Sequence, residues 1–145
     1  MSIQINPNSL VDSKFLGIPY KAGSDFNGCD CMGIIALYLR EHGINTDYDI
    51  SKFDAYKHQW ENHPRRFMDL IYQYGNMVRF SELKKFDVVF FLENGSIGNF
   101  PSYPGIMVDA GSFLTSYDKV SSYVLNLDIT WRNRFWGALR LKGID

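Results

Sequence analysis

The sequence has no apolar run as long as a membrane span and no block of lysine or arginine residues. A helix that crosses a bilayer needs about 20 consecutive apolar residues, so we expect no membrane span. With a net charge of -1 at pH 7, the chain offers no basic patch for a nucleic-acid partner. Residues 1–13 are mixed and polar, without a positively charged segment leading into an apolar one. This predicts that there is no signal peptide.

Cysteine and histidine are also scarce. The two cysteines, Cys29 and Cys31, are separated by one residue, a spacing that rarely meets disulfide geometry. We therefore expect both to remain reduced, which fits a reducing compartment. The three histidines, His42, His58 and His63, show no spacing typical of metal ligands. The sequence predicts neither a metal nor a cofactor.

What the chain does have is apolar and aromatic content. Hydrophobic residues make up 46% of the sequence and aromatic residues 16%, which is typical of a folded protein rather than a disordered one. A length of 145 residues suits one domain with one core. We therefore expect residues 1–145 to form a single domain.

The segment from Asn27 to Gly33 is the first candidate for chemistry, because it leads directly into the apolar run Ile34–Leu39. Asp30 is suited to cap a helix there, since its carboxylate can accept hydrogen bonds from the first backbone amides. Cys31 would then occupy the first turn, where the helix dipole favours a thiolate nucleophile. The alternative is that Cys31 is a small apolar residue at the start of a buried helix.

Helices are predicted mainly in the first half of the chain and strands in the second. Pro64 suits the first turn of a second helix, Arg65–Tyr74, which Gly75 would end. The predicted strands are Phe86–Leu92, Gly105–Asp109, Ser112–Thr115, Tyr123–Leu127 and Arg134–Leu141. This order predicts an α+β fold, a central antiparallel sheet with N-terminal helices packed on it.

Several segments together resemble the NlpC-type cell-wall cysteine peptidases, which have a papain-like fold. The resemblance covers about Phe15 to Arg140 and rests on four motifs: Gly17-Ile18-Pro19-Tyr20, Asp30-Cys31-Met32-Gly33, Leu83 to Phe91 with Phe86 where glycine is usual, and Tyr103-Pro104-Gly105-Ile106-Met107-Val108. Two further stretches, Arg40–Ile44 and Trp131–Arg140, resemble the bacteriophage-tail branch of this family.

The resemblance implies a role for each matching residue. Cys31 takes the position of the nucleophile that attacks a peptide bond in peptidoglycan stem peptides and forms an acyl-enzyme. Tyr20 and Asp30 take positions beside the substrate. Met32 stands where many bacterial members have serine, which changes the expected recognition of the stem peptide. We expect Cys31 to face a cleft lined by Tyr20 and Tyr103, with Cys29 pointing elsewhere.

The largest departure from the family pattern concerns the general base. Tyr103 occupies the position of the usual catalytic histidine, and Thr115 that of the residue that orients it. An ordinary tyrosine, with a pKa of about 10, is a poor base at neutral pH. His42 lies about 16 Å along the helix from Cys31 at the usual rise per residue. His58 or His63 could supply the base only if the intervening segment folds over the cleft.

These observations favour a bacteriophage tail or baseplate component with a peptidase fold and impaired or absent catalysis. Its partners would be other tail proteins, and it would be assembled in the host cytoplasm and carried in the virion tail. The first alternative is an active peptidoglycan endopeptidase that uses Cys31. The second is a bacterial cysteine-containing binding or redox module. The aromatic loop Ile97–Pro104 is expected to cover the cleft or to dock on another tail protein.

Overall fold

The computed structural model describes residues 6–21, 23–44, 69, 73–92, 103–117 and 120–144. His58, His63 and residues 97–102 of the aromatic loop lie outside these ranges. So does most of the predicted helix Arg65–Tyr74, of which residues 69, 73 and 74 are described and helical. No helix in the described ranges is long and apolar enough to cross a membrane.

The architecture is a six-stranded antiparallel sheet with one principal described helix, which confirms the α+β prediction. A short hairpin, β1 (Ser24–Asp25) and β2 (Gly28–Cys29), precedes helix α1 (Gly33–Glu41). The sheet contains β3 (Gly75–Val78), β4 (Val88–Phe91), β5 (Tyr103–Asp109), β6 (Ser112–Tyr117), β7 (Val120–Asn126) and β8 (Phe135–Leu141). Its strand order is β3-β8-β4-β5-β6-β7.

Two elements differ from the sequence prediction. The helical residues 73 and 74 are followed by Gly75, which ends the helix as predicted but also begins the unpredicted strand β3. This strand pairs with β8 from Gly75 opposite Leu141 to Val78 opposite Ala138. A short helix, α2 (Ile129–Arg134), lies just before β8, where no helix was predicted. Asp128 caps it, because its carboxylate accepts a hydrogen bond from the Trp131 amide at 3.2 Å.

Alternation along the strands divides the core into two layers, one on each face of the sheet. The helix-side core packs α1 against these strand residues: Val88, Phe90, Ile106, Val108, Leu114, Val124, Leu139 and Leu141. The opposite core contains these buried residues: Leu83, Val89, Phe91, Tyr103, Met107, Phe113 and Ala138. Tyr103 therefore belongs to a different layer from Cys31, which packs in the helix-side core.

A buried ion pair joins the start of β4 to β8. Asp87 is fully buried and receives two hydrogen bonds of 2.9 Å from Arg140, one from Nε and one from Nη2. The backbone amide of Lys84 donates a third, at 3.0 Å, and Arg140 also donates to the Glu82 carbonyl. The carboxylate thus fixes the turn before β4 to the strand beside it.

Phe86 has the backbone conformation that glycine adopts most easily, with a φ of 75°. A non-glycine residue in this left-handed region costs about 1–2 kcal/mol. Its ring packs against Tyr38 at 5.9 Å and His42 at 5.4 Å between centroids. Phe86 therefore gains aromatic contacts at a position where glycine would avoid the backbone strain.

Candidate functional site

Asp30 organises the start of α1 around Cys31. The Asp30 carboxylate accepts a hydrogen bond from the Gly33 amide at 2.6 Å, and its carbonyl accepts one from Ile34 at 3.1 Å. These bonds close the turn that leads into α1. The regular helix begins at Gly33, with Met32 at the N-cap position and no side-chain cap bond, so the prediction that Asp30 is the N-cap places the start of the helix two residues too early. Cys31 lies in the turn just before the helix, rather than in its first turn as predicted, and is 3% exposed. Its thiol is therefore beneath the surface rather than on an open wall.

Gly33 is the residue that permits this close packing. A Cβ atom added at Gly33 would lie 1.8 Å from the carbonyl oxygen of Gly23 and 2.8 Å from Oδ1 of Asp30. The loop before β1 therefore crosses directly over the first turn of α1. Glycine at this position is a requirement of the fold around Cys31.

Cys29 is chemically unlike a nucleophile. It is fully buried, and its Sγ donates a hydrogen bond to the Asp25 carbonyl at 3.1 Å. Burial, followed by the negative charges of Asp30 and Asp25, raises the pKa of Cys29 to about 12. The thiol remains protonated at neutral pH, and neither cysteine forms a disulfide.

The segment that carries Tyr20 is held between the sheet edge, strand β7, and the loop that contains Cys29 and Cys31. Ser122 of β7 accepts a hydrogen bond from the Ile18 amide at 2.9 Å and donates one to the Phe15 carbonyl at 2.6 Å. At the residue after Ile18, the Pro19 carbonyl accepts a hydrogen bond from the Cys29 amide. Tyr20 forms a bridge with Cys29, which places it two residues from Cys31 in the loop.

Tyr103 is at the first position of β5 and is 6% exposed. Its hydroxyl forms a short hydrogen bond with the hydroxyl of Tyr123 on β7. The pKa of Tyr103 is raised far above its usual range, first by burial and then by the hydrogen bond and charge of Tyr123. Arg134 lowers that pKa and Cys31 raises it, so both groups lie close enough to influence the phenol. A phenol that holds its proton this firmly cannot serve as a general base.

Thr115 does not support a base at this position either. It is fully buried, and its Oγ1 donates a hydrogen bond to the Pro104 carbonyl at 3.0 Å. Thr115 faces Tyr123 across the β6–β7 pair. Its hydroxyl is thus used to join β6 to β5. Met32, next to the nucleophile position, is 3% exposed and packs in the helix-side core.

His42 belongs to the opposite end of α1 from Cys31. Its Nδ1 donates to the Tyr38 carbonyl at 2.7 Å, and its ring stacks on Phe15 at 5.7 Å. The described residues contain no group of three or more metal-ligating side chains. Within the described ranges, no histidine is placed beside Cys31.

Sequence reasoning did not assign Tyr123 or Arg134 to the site. The guanidinium carbon of Arg134 lies 4.3 Å from the Trp131 ring centroid and 5.6 Å from that of Tyr103. Trp131 itself packs against Tyr103, with 5.0 Å between centroids. The three-residue spacing of Trp131 and Arg134 signals a contact if the segment is helical, but the segment was not predicted to be helical.

Solved structures with a similar fold include NlpC/P60 proteins. One, an NlpC/P60 family protein from Bacillus cereus, matches with a TM-score of 0.60 and 22% identity over 88% of this chain and 36% of its own. The NlpC/p60 domain of the peptidoglycan hydrolase SagA matches with a TM-score of 0.54 and 19% identity over 94% of this chain and 100% of its own.

A third similar structure is an NLP/P60 protein from Staphylococcus aureus, described as similar to lipoprotein. Its TM-score is 0.55 and its identity 20%, over 92% of this chain and 39% of its own. This chain therefore spans well under half the length of two of the three proteins. No protein-family model and no curated protein matches the sequence. The structural matches show that the chain has the papain-like NlpC/P60 fold.

Proposed function

We propose that this protein is a bacteriophage tail or baseplate component that uses an NlpC/P60 peptidase fold without effective peptidase catalysis. The observation that carries the proposal is the state of Tyr103. The residue is buried, hydrogen-bonded to Tyr123 and raised in pKa, at the position where the resembling family has its catalytic histidine.

A cysteine peptidase needs a group that accepts the thiol proton and later delivers a proton to the leaving amine. Tyr103 cannot accept that proton at neutral pH, because its own pKa is raised. Thr115 is bonded to the Pro104 carbonyl and has no proton-accepting group with a suitable pKa. Neither residue can therefore complete the chemistry that Cys31 would begin.

The tail assignment is supported by the resemblance of Arg40–Ile44 and Trp131–Arg140 to the phage-tail branch. In this proposal residues 1–145 act as one domain, the partners are neighbouring tail proteins, and the protein is assembled in the host cytoplasm before it enters the virion. Residues Trp131–Arg140 contribute α2 and β8, so this branch-like segment is part of the sheet and of the wall beside Tyr103.

One observation favours the alternative of an active endopeptidase. Cys31 lies in the turn that leads directly into α1, and the N-terminal end of a helix lowers the pKa of a nearby thiol. A similar structure belongs to the peptidoglycan hydrolase SagA. For such activity, His58 or His63 would have to supply the base. A cysteine-containing binding or redox module is the second alternative, although the protonated, buried Cys29 is a poor partner for thiol exchange.

We expect the purified protein to release no peptide fragments from isolated peptidoglycan in excess of its Cys31→Ala variant. Acid–base catalysis contributes about 10²–10⁴-fold to such reactions, and that contribution is missing here. Fragments are measured by liquid chromatography and mass spectrometry, with the SagA domain as the positive control. Cleavage by the wild type that is lost in Cys31→Ala contradicts the proposed loss of catalysis. His58→Ala and His63→Ala then identify the base.

We also expect the protein to be a fixed-stoichiometry constituent of purified virions, because a tail component remains with the particle. Quantitative mass spectrometry of gradient-purified particles measures its ratio to the tail-tube protein. The expected ratio is constant across preparations and unchanged by a high-salt wash. A protein that appears only in the lysate and is absent from particles contradicts the tail assignment without affecting the catalytic one.

A further inference from the structure

We infer that Arg134, with the Tyr123 hydroxyl that is bonded to Tyr103, forms a binding site for a carboxylate group at the end of α2. The inference rests on the proposed function in that it assigns a ligand to a fold without effective catalysis, but the site itself does not require Cys31 to be inactive. It concerns residues at the end of α2 and on two strands of the sheet. The ligand class is a small molecule or peptide that carries one carboxylate.

The first support is the rigid placement of the guanidinium. Arg134 Nε donates to the Leu92 carbonyl at 2.7 Å, and the Leu92 amide donates to the Arg134 carbonyl at 2.8 Å. The flat face of the guanidinium lies on Trp131, with 4.3 Å from Cζ to the ring centroid. Nε and one face are therefore occupied, and the side chain loses little further freedom when it binds a ligand.

The second support is the state of the two terminal Nη groups. Among the described residues, Arg134 makes no ion pair, whereas Arg140 is paired with Asp87 and Lys14 with Glu41. Arg134 is half-buried, so its charge is partly removed from water. A guanidinium held through Nε presents its two Nη groups as a planar fork, a geometry that matches a carboxylate.

The third support is the neighbouring hydroxyl pair. The Arg134 guanidinium carbon lies 5.6 Å from the Tyr103 ring centroid, and the Tyr103 hydroxyl is bonded to that of Tyr123. With Tyr103 as the donor within the pair, the Tyr123 hydroxyl retains its own O–H for donation to an anion. Among the described residues, Arg134 is the one cation that contacts the Tyr103 ring, and a single positive charge suits a singly charged carboxylate better than a doubly charged phosphate. Cys31 is among the groups that raise the pKa of Tyr103, so the site is within electrostatic range of Cys31.

The test is a titration of the ¹⁵N-labelled protein with N-acetyl-alanyl-alanine, followed through the indole N–H signal of Trp131. The C-terminal amide of the same peptide is the uncharged probe, and inorganic phosphate is the second anion. We expect saturable shifts with the carboxylate peptide, and binding at least tenfold weaker for the amide and for phosphate. Equal binding of the amide or of phosphate overturns the assignment to a carboxylate, and so does the absence of binding by the wild type.

Three variants separate binding from a purely structural role. Arg134→Gln should weaken carboxylate binding at least tenfold, because the fork and its charge are lost. Tyr123→Phe, which keeps the ring, should weaken it about threefold to tenfold. Arg132→Gln is the matched control: it lies on the same helix with its guanidinium over Phe80, and it should bind like the wild type.

The outcomes for this site and for catalysis are distinguishable. A folded Arg134→Gln protein that binds the carboxylate peptide as tightly as the wild type shows that Arg134 only packs on Trp131, and this overturns the inference. If the wild type cleaves peptidoglycan through Cys31 while carboxylate binding still depends on Arg134, the proposed function fails and the site remains. Circular dichroism of each variant establishes that the fold is intact.

Discussion

Replacing Gly33 with alanine is expected to lower the free energy of unfolding by more than about 3 kcal/mol, a loss typical of steric overpacking in a rigid site. In an open helix the same change would stabilise by up to about 1 kcal/mol, because alanine is the better helix former. Here the new Cβ would lie 1.8 Å from the Gly23 carbonyl oxygen and 2.9 Å from its carbonyl carbon. Both are backbone atoms that cannot rotate away, so the clash outweighs the gain in helix propensity and the substitution lowers the free energy of unfolding.

Two other glycines serve as controls in the same urea-unfolding experiment. Gly111→Ala has only one atom within 4 Å of its new Cβ, at 3.9 Å, and should change stability by less than about 0.5 kcal/mol. At Gly43 an added Cβ meets no atom within 4 Å, but the backbone φ is +73°. Gly43→Ala should therefore lower the free energy of unfolding by about 1–2 kcal/mol through backbone strain alone. If Gly33→Ala is no less stable than Gly111→Ala, the close crossing of the loop over α1 is wrong.

Removing Arg140 is expected to cost about 3–5 kcal/mol, the typical loss when one partner of a buried ion pair is deleted. Arg140→Met keeps much of the aliphatic length of the side chain but leaves the Asp87 carboxylate, which is 0% exposed, without its cation. Asp87→Asn should cost less, about 2 kcal/mol, because the remaining Arg140 side chain is 24% exposed and can be solvated. Thermal unfolding followed by circular dichroism measures both variants.

An exposed ion pair provides the control for this asymmetry. Lys14 and Glu41 are 3.4 Å apart, with side chains 48% and 32% exposed, so Lys14→Met should change stability by no more than about 1 kcal/mol. The order of loss should be Arg140→Met, then Asp87→Asn, then Lys14→Met. If Asp87→Asn is the most damaging of the three, the carboxylate does more than neutralise Arg140. The turn before β4 then depends mainly on its bond from the Lys84 amide.

Sequence patterns located the elements whose signals are local. The apolar run after Cys31 and the strands β4 to β6 were recognisable because each carries its own periodicity or β-branched and aromatic content. Strand β3 was not recognisable, because a strand of four residues that begins with glycine has little periodicity. Its partner on β8 is also distant in the sequence, since the paired residues Gly75 and Leu141 are 66 positions apart. Phe86 also misleads, since nothing in the sequence reveals that a phenylalanine adopts a φ of 75°.

The same distinction applies to the site. Tyr20, Asp30 and Cys31 are close in the sequence, and motif spacing was enough to bring them together. Tyr123 and Arg134 reach Tyr103 from β7 and from the end of α2, and their involvement depends on strand register and on a short helix. Such contacts follow from the packing of the whole sheet, which a local pattern does not contain. The roles assigned to Cys31, Tyr103, Thr115, Tyr20, Asp30 and Met32 remain predictions.

The hydrogen bonds of Ser122 have a consequence for the order in which the protein can be completed during synthesis. Ser122 binds Ile18 and Phe15 across 104 and 107 positions of sequence, and Val124 binds the Asn8 side chain across 116. A ribosome adds about 5–20 residues per second and releases the N-terminal end first. The loop around Cys31 therefore lacks its anchor on β7 until Ser122 has emerged, 104 positions after Ile18. During those seconds the buried residues of α1 are exposed to chaperones, proteases and other nascent chains.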